Sequence, residues 1–304
     1  DQDTALPFEV EYFSNAQGSE EAIYWVKVPQ IDANSSTDKI YIAYGNDPYH
    51  ADMSNPQAVW DDGGSNYFKG VWHLGGNAVS GATFYDSTSN GYDFDGTGHY
   101  SVPTTGYVGE AGTFDGVDDY LEITTGQGKF DNQNWTLSLF YNVVDIPTGY
   151  LWSYDFTSHA GYWYAQHLRL DTAPSNDHLM LWNNGSSWRY IADNVAPVVD
   201  TWTHIVCGFT SGSQVLYKDG ALIDTNTLAD TITYSDQEVW IGKTNFSGAT
   251  FLEGQVDEVR MSDIKRSADW TKLEYYSMAK TNFNGDNGAS GGSFINFGSQ
   301  EATR

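Results

Sequence analysis

Basic residues are scarce in this chain: 14 Lys and Arg stand against 40 Asp and Glu, a formal net charge of −26 over 304 residues. Phosphate backbones are held by clustered Lys and Arg, so the balance argues against a nucleic-acid partner. An anionic membrane surface would repel the chain for the same reason. Cysteine is almost missing too. Cys207 stands alone, which excludes an intramolecular disulfide. No apolar run is long enough to span a bilayer, so membrane insertion through a helix is not expected. No signal peptide is visible, and the chain is expected to be mature, an excised piece or cytosolic.

What the chain has in quantity is Gly (31), Tyr (21) and Trp (11), within a composition that is 40% hydrophobic. That is enough apolar matter for one large domain or two modest ones. With long helical patterns nearly absent, the mixture predicts an all-β protein with many turns. The acidity suits a salty extracellular milieu and divalent cations, which screen or bind carboxylates. Plain solubility also accounts for most of it.

Short alternating runs recur along the chain. "IYWVKVP" (23–29) and "KIYIAYGN" (39–46) read as strands. "WTLSLFYNV" puts Trp135, Leu137, Leu139, Tyr141 and Val143 on one face, and "HIVCGFT" does the same for Ile205, Cys207 and Phe209. "QVLYKDGALID" reads as a hairpin turning at Asp219-Gly220. One helix is predicted over 267–278, capped by Ser267, with Trp270, Leu273 and Tyr276 on its packed face. Residues 279–291 read as a Gly/Asn linker and "SFINFGSQ" as a last strand. The strand spacing fits a two-sheet sandwich.

The ordered series "GVWHLGG…YDSTSNG…FDGVDDYLEI…WTLSLFYN…WTHIVCGF…VLYKDGALI…VWIGK…EGQVDEVRMSDIKRSADWTKLEY" resembles a LamG-type, concanavalin A-like jelly-roll domain over roughly 70–278. The preceding "LPFEVEYF…YWVKVPQI…DKIYIAYGN" is similar to a domain of unknown function found before LamG domains in bacterial surface proteins. Together they imply a concanavalin A-like jelly-roll sandwich over 70–278, a smaller N-terminal β module over 1–69, and a linker and terminal strand over 279–304. The module is either trimmed or completed by another segment, such as the strand at 292–300.

Two features raise the question of a site. In "QVDEVRM" the alternation places Asp257 beside Val259 and Met261, pointing inward. A buried carboxylate needs donors, a basic partner or a cation. The resemblance implies a structural Ca²⁺ near a matching Asp, with Asp86, Ser89 and Asn90 of "YDSTSNG" as further ligands and Asp119 against the same ion. The other reading is an Asp257 satisfied by backbone donors. Asp115 and Asp118 of "FDGVDDYLEI" read as turn residues.

The aromatics form the second feature. Trp163, Trp182 and Trp188, with Asn183, Asn184 and Arg189 around the turn "WNNGSSW", have the chemistry of a sugar site: flat rings to stack and polar groups for hydroxyls. Each Trp taken singly also suits the sandwich interior. A glycosidase needs opposed carboxylates, and Glu253, Asp257 and Glu258 do not reproduce the acid spacing of the glucanases that this fold resembles. Cys207 shares a face with apolar residues and reads as core.

The resulting expectation is a calcium-stabilised carbohydrate- or protein-binding region of an extracellular or cell-surface protein or adhesin. Its partner would be a glycan or a cell-surface protein, within a larger surface protein. The alternatives are a polysaccharide-degrading enzyme and a structural spacer.

Overall fold

The computed structural model describes residues 4–16, 21–30, 32, 38–42, 53–61, 67–75, 83–96, 101–123, 129–145, 149–156, 164–170, 178–184, 186–234, 237–244 and 251–278. In chain order the strands are β1 (Phe8–Ser14), β2 (Glu21–Val26), β3 (Phe68–Trp72), β4 (Thr83–Phe84), β5 (Phe94–Asp95), β6 (Ser101–Thr105), β7 (Glu110–Asp115), β8 (Leu121–Ile123) and β9 (Asn134–Val143). They continue with β10 (Gly149–Phe156), β11 (Tyr164–Leu170), β12 (His178–Asn183), β13 (Trp188–Ala192), β14 (Thr203–Thr210), β15 (Ser213–Lys218), β16 (Ala221–Asn226), β17 (Gln237–Ile241) and β18 (Glu253–Ser262). The helices are α1 (Pro56–Trp60) and α2 (Ala268–Met278). The strand predicted at 292–300 and the linker before it lie outside the described residues, as does Trp163. Residues 39–42 of the strand predicted at 39–46 are not in a strand, and 43–46 lie outside the description.

The strands form an all-β jelly-roll sandwich of two antiparallel sheets. The first sheet has the order β13-β12-β11-β10-β17-β8-β5-β4 and the second β16-β15-β14-β9-β18-β7-β6, with β3 paired to β18. The alternation read in the sequence sets the inner faces. Trp135, Leu137, Leu139, Tyr141 and Val143 of β9 join Ile205, Cys207 and Phe209 of β14 in one core. The first sheet contributes Trp152, Tyr154, Leu168, Met180 and Trp182 to it. Trp72 packs 6.1 Å from Trp152 and 4.9 Å from Phe94, both tilted or edge-on as aromatic quadrupoles prefer. The β15–β16 hairpin turns at Asp219 (φ 50°) and Gly220 (φ 74°), left-handed at both central positions as a type I′ turn requires.

The outer face of the second sheet is covered by α2 and by the β1–β2 hairpin, and here two expectations are corrected. β18 does not alternate through "QVDEVRM". Its register shifts between Asp257 and Arg260, and Glu258 has φ 51°. This bulge inserts an extra residue, so Val256 and Val259 both face the core. Asp257 lies opposite Phe140, and Arg260 opposite Ser138, on the outer face. Asp257 therefore points away from Val259 and Met261.

The second correction concerns α2, which is capped as expected, Ser267 Oγ accepting from Trp270 N at 3.1 Å. Its buried residues are Thr271, Glu274 and Met278, whereas Trp270 and Leu273 are over a third exposed. The helix is turned by charge. Glu274 Oε1 accepts from Arg260 Nη1 at 3.2 Å and from Ser138 Oγ at 3.0 Å. A buried guanidinium needs such a partner.

Candidate functional site

The β1–β2 hairpin inverts the usual facing of an amphipathic strand. Glu9 is buried and Phe13 is 64% exposed. The reason lies beneath the hairpin, where β3 delivers His73 and the β18 bulge delivers Glu258 and Arg260. His73 Nδ1 lies 2.5 Å from Glu258 Oε1 and 3.6 Å from Glu11 Oε2, and its Nε2 lies 3.2 Å from Glu9 Oε2. Arg260 Nη2 donates to Glu258 Oε2 at 2.5 Å. Its guanidinium lies over Trp25 at 4.5 Å and Trp60 at 5.0 Å from the ring centroids, and Trp25 stacks on His73 at 5.6 Å. Trp25 Nε1 and Trp60 Nε1 each donate to a glutamate, Glu11 and Glu9, at 2.5 Å.

Burial and competing charge set the protonation of this seam. Burial pushes Glu9 up, but His73, Ser87 and Trp60 outweigh it and hold the carboxyl below its ordinary value. Burial and the charge of Glu258 raise Glu11 to about 7. Asp257, buried beside Glu258, is raised well above the carboxylate range. Its Oδ2 accepts from Val108 N at 2.9 Å, while Oδ1 is buried without a hydrogen-bond partner. Gly106 permits this contact, since a Cβ there would come 2.6 Å from Asp257 Oδ2.

Above the seam lies an open polar pocket of about 500 Å³, lined by Glu9, Ser54, Asn55, Gln57, Tyr85 and Ser87 among others. Asn55 caps α1, its Oδ1 accepting from Ala58 N at 3.1 Å, and this fixes one wall. The "YDSTSNG" loop makes the other. Asp86 holds that loop closed, accepting from Val71 N, Thr88 N, Thr88 Oγ1 and Tyr92 N at 2.8–3.1 Å. Ser87 Oγ donates to Glu9 Oε1 at 2.6 Å. Tyr85 projects from the rim, 74% exposed. The site thus offers a flat ring beside amides and hydroxyls.

Most of the residues expected to hold calcium already make internal hydrogen bonds. Asp86 is taken by four donors, three local ones and Val71 N of β3, and Asn90 Nδ2 donates to the carbonyls of Phe68 and Lys69 at 3.2 and 3.3 Å. Ser89 is exposed on that loop. Asp119 Oδ2 accepts from Asp115 N at 3.0 Å, and Asp115 Oδ1 accepts from Val117 N at 2.8 Å. Among the described residues, two groups bring three or more His, Cys or acidic ligand atoms within 4.8 Å: Glu11, His73 and Glu258, and Asp115, Asp118 and Asp119. Neither contains Asp86 or Asp257.

The expected sugar-stacking turn is corrected in part. Trp182 is 0% exposed and edge-on to Phe209 at 5.6 Å, so it presents no face to a ligand. It sits opposite Gln166 on the core side of β12, a side the local turn chemistry does not reveal. Asn183 is buried as well, and Trp188 is half-buried. Asn184 Nδ2 and Arg189 Nε both donate to Asp230, at 3.0 and 3.2 Å, which binds the turn to the 227–234 segment. The seam residues Glu9, Glu11 and His73 went unread because each sits in a short strand-like run where a charged residue normally marks the solvent side. The "ExE" of β1 facing a His and an Arg in distant strands is the signal, and it needs pairing information that one sequence does not hold.

A model of the concanavalin A-like lectin/glucanases superfamily matches residues 114–271, just over half of the chain. The chain belongs to this superfamily. A domain of unknown function (DUF2341) matches residues 1–93, running past the expected module boundary at 69 and through β3 and β4, which belong to the sandwich sheets. A search of curated proteins found no match. Among solved structures, this superfamily member resembles domain 4 of a GH43 extracellular arabinanase from Geobacillus stearothermophilus, solved with arabinotriose: 16% identity, TM-score 0.54, covering 70% of this chain and 98% of that one. It also resembles a Trypanosoma rangeli sialidase, at 16% identity and TM-score 0.51, covering 68% of this chain but 32% of the sialidase. The binding domain of Paraclostridial Mosquitocidal Protein 1 matches at 9% identity and TM-score 0.53, over 70% of this chain and 52% of that one. At these identities the likeness is one of fold. No described helix is long and apolar enough to cross a membrane.

Proposed function

We propose that the chain is a glycan-binding region of an extracellular or cell-surface protein, and that the pocket beneath Tyr85 is where the glycan sits. The observation that carries this reading is the exposed Tyr85 ring beside a polar concavity walled by Asn55, Gln57 and Ser87. Sugars stack a pyranose face on such a ring and exchange hydroxyl hydrogen bonds with amides. The chain's charge of −26 repels acidic glycans and selects neutral ones. Binding without cleavage fits the pocket's carboxylates. Glu9 and Asp86 are committed to internal donors and do not stand as an opposed acid and base.

A neutral-glycan array read with wild type, Tyr85→Ala and Gln57→Ala tests the reading. Both variants should bind about tenfold more weakly, a stacking or hydrogen-bond contribution of about 1.4 kcal/mol, with unchanged melting temperatures. Binding that survives Tyr85→Ala refutes the site. Recognition of a surface protein and no glycan refutes the ligand class. Released reducing ends would instead support the enzyme reading. The acids to test would then be Glu122 and Glu238, which flank Trp240 on the outer face of the first sheet. Trp240 Nε1 donates to Glu122 Oε2 at 3.1 Å, and burial together with Glu122 raises Glu238.

A further inference from the structure

The seam beneath the hairpin is rich in carboxyl groups. Among the described residues, Glu9, Glu11, Asp257, Glu258 and Glu274 gather around two cations, His73 and Arg260. Uncompensated charge at this depth is costly. The arrangement has three further properties. Glu11, His73 and Glu258 each bring one ligand atom to within 4.8 Å of the others. Each candidate ligand is oriented by a second residue: Glu9 on His73 Nε2, Arg260 on Glu258 Oε2, and Trp25 on Glu11. A carboxylate on the far nitrogen of a ligating imidazole is the usual way to fix its tautomer and raise its basicity. Finally, Asp257, the chain neighbour of Glu258, is 0% exposed with its Oδ1 unpartnered.

We propose that Glu11, His73 and Glu258 bind one zinc-class divalent ion, and that this ion pins the β1–β2 hairpin to the sandwich. One imidazole with carboxylates suits Zn²⁺ at four-coordination. Calcium, which takes six to eight oxygens, and magnesium, which keeps its waters, suit it poorly. The 3.6 Å between His73 Nδ1 and Glu11 Oε2 matches the ligand edge of a tetrahedral site with bonds of about 2.1 Å. The 2.5 Å between His73 Nδ1 and Glu258 Oε1 is a proton's distance, and it must open by about 1 Å. Binding therefore expels the proton that His73 and Glu258 share, and His73 binds as neutral imidazole.

The test uses the full chain, stripped with a chelator and dialysed. ZnCl₂ is titrated calorimetrically in two buffers of different ionisation enthalpy, and CoCl₂ is added separately as a visible-absorbance reporter. The expected result is one equivalent bound, about one proton released, a melting midpoint raised by a few degrees at a hundredfold excess, and cobalt d–d bands. Glu11→Gln can keep the Trp25 hydrogen bond and should fold, yet it should weaken binding at least tenfold. Glu9→Gln, which only orients His73, should weaken it by about 10- to 100-fold. Asp118→Asn, in the exposed acidic turn, should change nothing. The proposal is overturned by no saturable binding to wild type, by Glu11→Gln binding as wild type does, by Asp118→Asn abolishing binding, or by millimolar calcium matching zinc in the midpoint it restores.

Discussion

His204 is a histidine that the fold keeps neutral, and replacing it tests the outer face of the second sheet. It lies opposite Phe140 on β9 and is sandwiched between Phe140, at 4.5 Å, and Tyr275 of α2, at 5.8 Å, with both ring pairs stacked. Neither ring nitrogen has a hydrogen-bond partner. Burial, helped by the nearby charge of Arg260, pushes its pKa down to about 3. The unfolded chain titrates near 6.5. As pH falls below that value, the unfolded state binds a proton that the folded state refuses. Stability is therefore fully present above about pH 6.5 and is lost at about 1.4 kcal/mol per unit from there down toward pH 3.

His204→Phe keeps the stack and removes both the titration and the unpaired N–H. Freeing a buried unsatisfied donor returns about 1–3 kcal/mol, and fitting the slightly larger ring costs about 1 kcal/mol. The variant should thus be more stable by about 1 kcal/mol at pH 7.5. The gap should widen to about 3 kcal/mol at pH 5. Asp219, which accepts the backbone N–H of His204 at 2.9 Å and whose own pKa is raised by burial, remains in both proteins, so its titration largely cancels in the difference. Urea unfolding followed by tryptophan fluorescence at pH 7.5, 6 and 5 measures the gap. A variant less stable at every pH, with the wild-type slope retained, would refute the reasoning.

Trp182→Ala should cost about 3–5 kcal/mol in urea unfolding and leave glycan binding unchanged, because the ring fills the core against Phe209. Asp86→Ala strands four donors and should cost about 3 kcal/mol. The loss should be the same with and without calcium; a wild-type calcium response that this variant abolishes would restore Asp86 as a ligand. Cys207 is wholly buried and its thiol is pushed up by burial, so a thiol reagent should label it only as the chain unfolds.

The strands of the sandwich were legible because β9 and β14 alternate cleanly, and an apolar residue every second position has one place to go. The β18 bulge was not. The sequence "VDEV" is compatible with unbroken alternation, and what breaks it is the pairing with β9, where Asp257 meets Phe140 and Arg260 meets Ser138 with one residue too many between them. The facing of α2 was lost for a related reason. Trp270 and Leu273 look like the packed side until Arg260, buried under α2, requires Glu274 beneath the helix. Trp182 stays open between sugar face and core in the sequence, because a polar turn beside it says nothing about which side of β12 faces inward. Tyr85 carries no signal in a loop whose Asp86, Ser89 and Asn90 point to a cation.

The seam also differs from the core in kind. Between the two sheets, apolar burial does the holding, and a substitution there is felt as lost volume. Between hairpin and sandwich the apolar contribution is small: Val108, Phe140 and Met278 form the buried cluster, with Ile23, Trp25, Tyr107, Trp202 and Tyr275 partly buried around it. The remaining contacts are Glu9, Glu11, His73, Glu258 and Arg260, and the indole N–H groups that satisfy two of these glutamates. A polar seam is poor at adding stability but good at fixing geometry, because only one register satisfies every group. That register places α1 beside the "YDSTSNG" loop, through Glu9, which accepts from Trp60 on one side and Ser87 on the other. Glu9 is thus the link by which the buried charge network sets the width of the pocket above it. Its replacement should alter glycan binding in the pocket that it lines, beside Tyr85.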